Sequence, residues 1–254
     1  MANPVFSIIT VVFNGEHLLT DTIRSVAAQT YPHIEYIIVD GGSKDGTVEV
    51  IRQNEALISA WISERDAGIY DGMNKGLHIA TGDFVLFLNC GDHLFASDTL
   101  TKVAEKLQPD TDIIYGNTMM VDDDRRELGL MSEVTSRRYP KRLTWRSMRF
   151  GMNVCHQSFL VRRSIAGDYI MDFAADIDWC IRALKQARGV VDSGIVVSKY
   201  LTGGISMQQK RKSLEGRYHV LRRHFGWLPN IVAHGIIVVR GLWFKWQRRG
   251  KVTY

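Results

Sequence analysis

Residues 64–92 read ERDAGIYDGMNKGLHIATGDFVLFLNCGD and contain the pattern from which the fold can be predicted. A polar loop leads into a short helix, and an apolar strand predicted over 84–88 then stops close to a carboxylate, Asp92. Open α/β sheets build ligand sites where strands deliver polar side chains at their carboxyl ends. The stretch therefore predicts an α/β fold with a binding crevice near Asp92.

The first 115 residues alternate between strand and helix patterns. In chain order the patterns predict strand 6–13, helix 20–29, strand 34–39, helix 47–53, strand 60–62, strand 84–88, helix 98–107 and strand 112–115. Such alternation indicates a mainly parallel, doubly wound, Rossmann-like sheet. Right-handed crossovers place the carboxyl ends of the strands at one edge, so we expect Asn14, Asp40 and Asp92 to converge there.

The second half of the chain has a different pattern. It predicts a hairpin of 118–121 with 127–131, a strand over 158–161, a helix over 176–186, a strand over 190–197 and helices over 208–224 and 230–247. We therefore expect one α/β domain over 1–206, with halves 1–115 and 116–206, followed by a basic helical extension over 207–254.

Charge is distributed unevenly along these 254 residues. Residues 1–130 contain 9 Lys and Arg against 20 Asp and Glu, whereas residues 131–254 contain 23 against 7. A basic end of this kind indicates an anionic partner, which the charge alone leaves open among a membrane surface, nucleic acid and an anionic substrate. The amino terminus has no signal-peptide pattern and the three cysteines have no metal spacing, so we expect a cytoplasmic protein.

The last predicted helix combines apolar, aromatic and basic residues. Its apolar run over 231–244 contains His234 and Arg240 and is shorter than the roughly 20 residues that a membrane span needs. Trp243 and Trp246 lie among basic residues, which suits a helix that lies in the interface of an anionic membrane. The alternative is a helix that packs its apolar face on the domain. We favour peripheral attachment to the inner face of the cell membrane and expect no nucleic acid partner, because few aromatic residues accompany the basic residues elsewhere.

Four carboxylates are candidates for chemistry. Asp40 ends a strand, where it could contact a base or ribose of a nucleotide or could only stabilise a turn. Asp92 could bind Mg²⁺ or Mn²⁺ together with diphosphate oxygens, or could only cap a helix. Asp176 and Asp178 begin a predicted helix, so one of them suits a general base, although two acids in a first turn are also favoured by the helix dipole.

Two shorter motifs have equally open interpretations. His156 and Gln157 follow a basic loop and suit either a substrate contact or a buried structural role. The stretch Gly203-Gly204-Ile205-Ser206 offers backbone amides to a phosphate, or forms only a turn.

Together these motifs resemble the family 2 glycosyltransferases, which have the GT-A fold. The resemblance covers residues 6 to 206 and rests on an ordered series of motifs. These are Ser7–Val11 with Asn14, Ile38–Thr47, Asp66–Gly76, Thr81–Asp83, Phe87–Asp92, His156-Gln157, Asp176–Trp179 and Gly203–Ser206. The Asn-x-Gly-Asp ending is most similar to short enzymes of colanic-acid, exopolysaccharide or O-antigen assembly.

The resemblance implies roles for individual positions. The nucleotide-sugar donor would be held by Thr10, Val11, Asn14, Asp40, Ser43, Asp66, Asn74, Lys75, Asn89 and Asp92. Asp92 would bind Mn²⁺ or Mg²⁺, although the usual motif has acids at Asn89 and Gly91 too. Asp176 would be the catalytic base. The acceptor would meet His156, Gln157, Asp178 and Trp179.

The implied reaction is an inverting transfer of a sugar, with a UDP-sugar favoured, to a hydroxyl of a lipid-linked saccharide. In that case 1–115 is the donor half and 116–206 the acceptor and catalytic half. Two other classes remain open at this point. A nucleotidyltransferase would need a glycine-rich basic loop after the first strand, and a non-catalytic protein would bind only sugar nucleotides or polyanions.

Overall fold

A computed structural model describes residues 3–203 and 210–247 of the chain. These residues form one nine-stranded sheet between two layers of helices. The strands are β1 Phe6–Val12, β2 Ile34–Asp40, β3 Ala60–Ser63, β4 Phe84–Phe87, β5 His93–Leu94, β6 Thr111–Val121, β7 Glu127–Leu130, β8 Phe159–Arg162 and β9 Gly189–Leu201. The α-helices are α1 Glu16–Ala27, α2 Thr47–Gln53, α3 Ile69–Ile79, α4 Thr99–Lys106, α5 Met131–Val134, α6 Ala175–Gln186, α7 Lys210–Phe225 and α8 Trp227–Gln247.

The strands follow the order β3-β2-β1-β4-β8-β6-β9-β5, and β7 pairs with β6. Strands β3, β2, β1 and β4 are parallel neighbours, whereas β8 is antiparallel to both β4 and β6. A second parallel pair, β6 with β9, lies beyond β8. The predicted parallel, doubly wound arrangement is confirmed for the first half of the chain, and β8 makes the sheet as a whole mixed.

Strand β1 shows why this half is layered. All seven of its residues are buried, and alternate side chains enter opposite layers, because successive residues of a strand point to opposite faces. Ile9 and Val11 pack with the α3 side, whereas Ile8 and Val12 pack with the α1 side. The register pairs Val12 with Asp40, so the ends of β1 and β2 lie side by side.

Strand β6 corrects the prediction of two separate strands over 112–115 and 118–121. It runs unbroken over eleven residues and pairs with the long β9. Gly116 makes this continuity possible, since a Cβ there would lie 2.6 Å from the Ile195 carbonyl oxygen. The predicted hairpin of β6 with β7 is confirmed and contains a bulge at Met120 and Val121.

Helix α7 shares its core with the second half of the domain. Val220 and Leu221 are fully buried in the same cluster as Ile177 and Ile181 of α6. Gly216 allows close approach, because a Cβ there would lie 2.4 Å from the Phe173 carbonyl oxygen. The helical extension predicted over 207–254 is therefore packed on the domain through α7.

Helix α8 is different, because most of its large apolar side chains face solvent. Only Asn230 and Ala233 of α8 are buried among the residues that the structure describes. At 21 residues it is long and apolar enough to cross a membrane, by length and composition alone. The prediction that its apolar run is too short for a span is thus corrected by the helix, which begins at Trp227 with Pro229 in its first turn.

Candidate active site

The loops that follow β1 and β2 are held together at the carboxyl edge of the sheet. Asn14, in a left-handed conformation with a φ of 50°, accepts a hydrogen bond on Oδ1 from the Lys44 amide at 2.9 Å. Its own amide donates to Ser43 Oγ at 2.7 Å. The buried Asp40 carboxylate accepts from the Ser43 amide and from Ser63 Oγ at 2.6 Å. The structure thus brings together Asn14 and Asp40, two of the three residues that the strand pattern predicts to converge, with Ser43 between them.

Thr10 and Val11 lie beneath this edge. Thr10 is fully buried and its Oγ1 donates to the Leu88 carbonyl at 2.7 Å. Val11 is only 6% exposed. Their side chains therefore support the edge from within the core.

Asp66 lies in a gap that two glycines leave open. Its Oδ1 accepts from the Gly68 amide at 3.0 Å. A Cβ on Gly41 would lie 2.4 Å from Asp66 Oδ2, and one on Gly72 would lie 3.2 Å from it. Because both positions lack a side chain, the half-buried carboxylate fits beside the β2 loop, where a donor nucleotide is expected.

The side chains of Asn74 and Lys75 bind other parts of the protein, whereas the resemblance implies that they hold the donor. The Asn74 amide group pairs with both backbone groups of Tyr169, donating at 2.9 Å and accepting at 2.7 Å. Lys75 Nζ lies 2.8 Å from Glu64 Oε1 and 3.6 Å from Asp71 Oδ2. These two residues fix the position of the segment 64–76. They therefore shape a donor pocket indirectly, by holding that segment in place.

Three polar side chains from distant parts of the chain meet beside this edge. Asp176 opens α6 with its side chain 23% exposed, and its Oδ2 lies 3.9 Å from His156 Nδ1. His156 Nε2 lies 3.4 Å from Asn89 Nδ2, at the end of β4. Burial lowers the pKa of His156, with Asp176 opposing that effect, so the ring is uncharged at neutral pH. Asn89 Oδ1 is buried and has no hydrogen-bond partner within the described residues, as expected of an atom that a ligand completes.

An aromatic stack supports the start of α6, and the sequence analysis missed two of its members. Tyr70 stacks on Tyr169 at 5.5 Å, and Tyr169 stacks on Trp179 at 5.0 Å. The amides of Ala175 and Asp176 hydrogen-bond the Tyr70 hydroxyl, whose pKa burial raises above its usual range. No local sequence signal joins Tyr70 to Tyr169, because their contact depends on the Asn74 bridge.

Asp92 does not fit a resident divalent cation. It is 4% exposed, and its two oxygens accept from Gln157 Nε2 at 2.8 Å and from the Leu201 amide at 2.9 Å. Burial raises the pKa of Asp92 to about 7. Nowhere in residues 3–203 and 210–247 do three His, Cys, Asp or Glu side chains form a group that could hold a metal. The carboxylate predicted as the metal ligand instead joins β4 to β9.

Three of the four predicted acceptor contacts are buried in the scaffold, which corrects that prediction. Gln157 is 1% exposed and its Oε1 accepts from Cys155 Sγ. Trp179 is 1% exposed and donates through Nε1 to the Gly167 carbonyl at 2.7 Å. Asp178 is also 1% exposed. Only His156 remains beside the crevice.

Asp178 anchors α7 to α6. Its carboxylate lies 2.6 Å from Arg182 Nε and 2.8 Å from His224 Nε2, and 3.5 Å from Arg223. Burial opposes ionisation, but the hydrogen bonds from His224 and Arg182 prevail and lower the pKa of Asp178 to about 2. Of the predicted phosphate turn, Gly204, Ile205 and Ser206 lie outside the described residues.

The family model described as glycosyl transferase family 2 matches residues 7–170. A PGL/p-HBAD biosynthesis glycosyltransferase of Mycobacterium bovis is 31% identical over 191 residues, which are 70% of this chain and 68% of the relative. An uncharacterised glycosyltransferase of Mycobacterium tuberculosis is 34% identical over 224 residues, or 84% and 81% of the two chains. The putative teichuronic acid biosynthesis glycosyltransferase TuaG of Bacillus subtilis is 37% identical over 105 residues, 40% and 41% of the chains.

Solved glycosyltransferase structures share the fold. Staphylococcus aureus TarS 1-349 in complex with UDP-GlcNAc superposes with a TM-score of 0.68 at 20% identity, covering 86% of this chain and 65% of that one. The mannosyltransferase PcManGT of Pyrobaculum calidifontis, in complex with GDP-Man and Mn²⁺, gives 0.65 at 15% identity, covering 99% and 77%. The predicted GT-A fold is thereby confirmed. On the family match and the mycobacterial relatives, this chain is a glycosyltransferase and belongs to glycosyl transferase family 2.

Proposed function

We propose that this enzyme transfers a sugar, with inversion, from a nucleotide-sugar donor to a hydroxyl of a lipid-linked saccharide. A UDP-sugar is the favoured donor, since TarS was solved with UDP-GlcNAc. The names of the relatives, for PGL and teichuronic acid biosynthesis, support an acceptor in surface glycolipid or polysaccharide assembly. The two alternatives, a nucleotidyltransferase and a non-catalytic binding protein, lack such support.

The observation that carries the proposal is the meeting of Asp176, His156 and Asn89. Asp176 is the partly exposed carboxylate at the start of α6, beside the donor edge. A base must lie within reach of the hydroxyl that it deprotonates. Asp176 meets this requirement for an acceptor that enters between α6 and the end of β4.

The proposed step is a single displacement. The acceptor oxygen attacks the anomeric carbon and forms the new glycosidic bond while the bond from that carbon to the diphosphate breaks. The acceptor proton passes to the Asp176 carboxylate, and the nucleoside diphosphate leaves with the bonding electron pair. Attack opposite the leaving group inverts the anomeric centre. No step passes through a cation at Asp92, because both of its oxygens are already hydrogen-bonded.

Neutral His156 is placed to orient the base. Its Nδ1 faces Asp176 and its Nε2 faces Asn89. In the neutral form one ring nitrogen donates and the other accepts, so Nε2 can accept from the Asn89 amide at 3.4 Å. A small movement of Asp176, whose Oδ2 lies 3.9 Å from Nδ1, would bring it within hydrogen-bond distance of the ring. Asn14, Asp40, Ser43 and Asp66 would hold the nucleoside at the neighbouring edge.

The nucleotidyltransferase alternative is disfavoured by the first loop. The segment between β1 and α1 contains Asn14 and Gly15, and Glu16 opens α1. It has neither the glycine repeats nor the basic side chain that cradle a triphosphate.

We further propose that α8 holds the enzyme at the inner face of the cell membrane. Ten large apolar side chains of α8, including Trp243 at 57% and Trp246 at 56%, are exposed. Exposed apolar surface with Trp and basic residues is typical of interfacial helices. Removing residues 227–254 should abolish sedimentation with anionic liposomes, while donor binding is retained. Unchanged sedimentation of the shortened chain would contradict the attachment.

The transfer itself is tested with a panel of UDP-, GDP- and dTDP-sugars, by calorimetry and by release of the nucleoside diphosphate, with and without Mn²⁺. We expect one nucleotide to bind selectively. Binding of none of them would contradict the transferase proposal and favour a non-catalytic member of the family. Transfer of a nucleotidyl group would favour the other alternative.

A further inference from the structure

A groove lies between the segment 135–153 and helix α8, apart from the donor edge. Its volume is about 840 Å³. One wall is apolar and is formed by the α8 side chains Val232, Ile236, Val239 and Trp243. The opposite wall includes Arg138 and Arg149, and Arg240 of α8 adds a third guanidinium.

The groove has a strong excess of positive charge. Residues 134–153 contain six Lys and Arg and no Asp or Glu, and no acid lines the groove in the described part of the chain. Burial, and then the positive charges of Arg138 and Arg137, lower the pKa of Arg240.

One guanidinium of the groove has an unsatisfied donor. The Nη2 of Arg240 donates to the Phe150 carbonyl at 3.2 Å, but its Nε is buried and has no hydrogen-bond partner in the residues that the structure describes. A buried donor without a partner is costly. The planar fork of a guanidinium matches phosphate oxygens, which accept two parallel hydrogen bonds. The cluster therefore has the chemistry of a site that an anion with several oxygens completes.

The apolar wall indicates that the anion carries a hydrocarbon chain. Val232, Val239 and Trp243 are 56%, 66% and 57% exposed along one helix, and they continue directly from the guanidinium of Arg240 in the same groove. A free nucleotide or inorganic phosphate would leave this surface in water. A molecule with a charged head and a hydrocarbon chain would cover both parts.

We propose that this groove binds the acceptor as a lipid diphosphate, with the diphosphate on Arg138, Arg149 and Arg240 and the first part of the hydrocarbon chain along Val239 and Trp243. The inference rests on the proposed transfer to a lipid-linked saccharide and assigns the residues that recognise its carrier. It commits to an individual lipid diphosphate in the groove, as distinct from the headgroups of a bilayer.

The probe is farnesyl diphosphate, a short lipid diphosphate, titrated calorimetrically into the full chain. Farnesol lacks the anion and inorganic diphosphate lacks the chain, so each should bind at least about tenfold more weakly. The double variant Arg149→Gln with Arg240→Gln should lose about tenfold or more in affinity. Val239→Glu should weaken binding similarly, and at an exposed position it cannot unfold the core. Arg211→Gln, on α7 and 92% exposed at its side chain, is the matched control.

The inference is overturned if inorganic diphosphate binds as tightly as farnesyl diphosphate, or if both groove variants bind it like the control. Equal competition by phosphatidylglycerol vesicles would also overturn it, because the site would then recognise a bilayer. UDP-sugar binding is measured on the same samples. Retained donor binding with no lipid diphosphate binding rejects the groove alone, whereas the reverse result rejects the proposed transfer.

Discussion

The end of β4 and the start of α6 have the same arrangement of polar side chains but differ in the charge that they present to the crevice. In each region one polar side chain faces the crevice and a second one is buried in the scaffold. At β4 the crevice receives the amide of Asn89 and the scaffold holds Asp92, whereas at α6 the crevice receives Asp176 and the scaffold holds Asp178. Two acids that look equivalent in sequence can therefore have unrelated roles.

The two buried carboxylates also differ from each other. Asp92 and Asp178 are 4% and 1% exposed, yet the pKa of Asp92 is raised to about 7 and that of Asp178 is lowered to about 2. Asp92 receives hydrogen bonds from neutral groups, and Asp178 receives them from Arg182 and His224. The cationic guanidinium of Arg182 compensates Asp178 for the loss of water, whereas the neutral donors to Asp92 do so only in part.

The largest expected effect is on turnover, at the crevice side of α6. Asp176→Asn keeps the shape of the side chain but cannot take the acceptor proton, so transfer should fall by roughly 10²–10⁴-fold. The affinity for the donor should be unchanged. Transfer rate and donor affinity are measured together, with Asp124→Asn at the tip of the hairpin as the control. Normal turnover of Asp176→Asn would remove this residue from the mechanism.

The next effect is on stability, at the scaffold side of α6. Asp178→Ala leaves His224 and Arg182 without their buried acceptor and should lower the free energy of unfolding by about 3–5 kcal/mol. Since the pKa of Asp178 is lowered in the fold, its contribution is present above the unfolded pKa and is lost as pH falls through about 2. Denaturant titrations of the variant and the parent chain check the loss. A stability equal to that of the parent would mean that α7 is attached by its apolar contacts alone.

The smallest effect concerns Asp92 and has the opposite sign in pH. A raised pKa means that the folded state binds the proton more tightly, so stability is full below the unfolded pKa and declines as pH rises through about 7. Asp92→Asn should remove this decline, by a few kcal/mol at most, because Gln157 can turn its amide to pair with Asn. Unfolding free energies at pH 5 and pH 8 measure the slope. A slope that persists in the variant would assign it to other groups.

The strand ends were predictable because topology fixes them. Once 6–13 and 34–39 are recognised as buried parallel strands, Asn14 and Asp40 must end at one edge. The family resemblance then supplied Asp176, whose spacing alone also suited a helix dipole. These inferences needed only local patterns and their order.

The partners of these residues could not be read from local patterns. Asn74 meets Tyr169 across 95 positions, Asp92 meets Leu201 across 109, and Asp178 meets His224 across 46. Such contacts form only when whole elements pack together. The sequence of a motif does not show whether its Asp faces a ligand or a backbone amide. The charged groove was equally hidden, because its walls come from two segments that sequence spacing does not relate.

Helix α7 has a consequence for how this enzyme can be recombined. Its residues Val220 and Leu221 complete the core over α6, and its His224 contacts Asp178, two residues beyond the proposed base, at 2.8 Å. An exchange of all residues after the family motifs between two such enzymes would therefore remove the helix against which α6 packs. Gly226, with a φ of 84°, separates this indispensable helix from α8, whose side chains are largely exposed. A boundary for exchanging α8 between such enzymes therefore lies at Gly226, some twenty residues after the last recognisable motif.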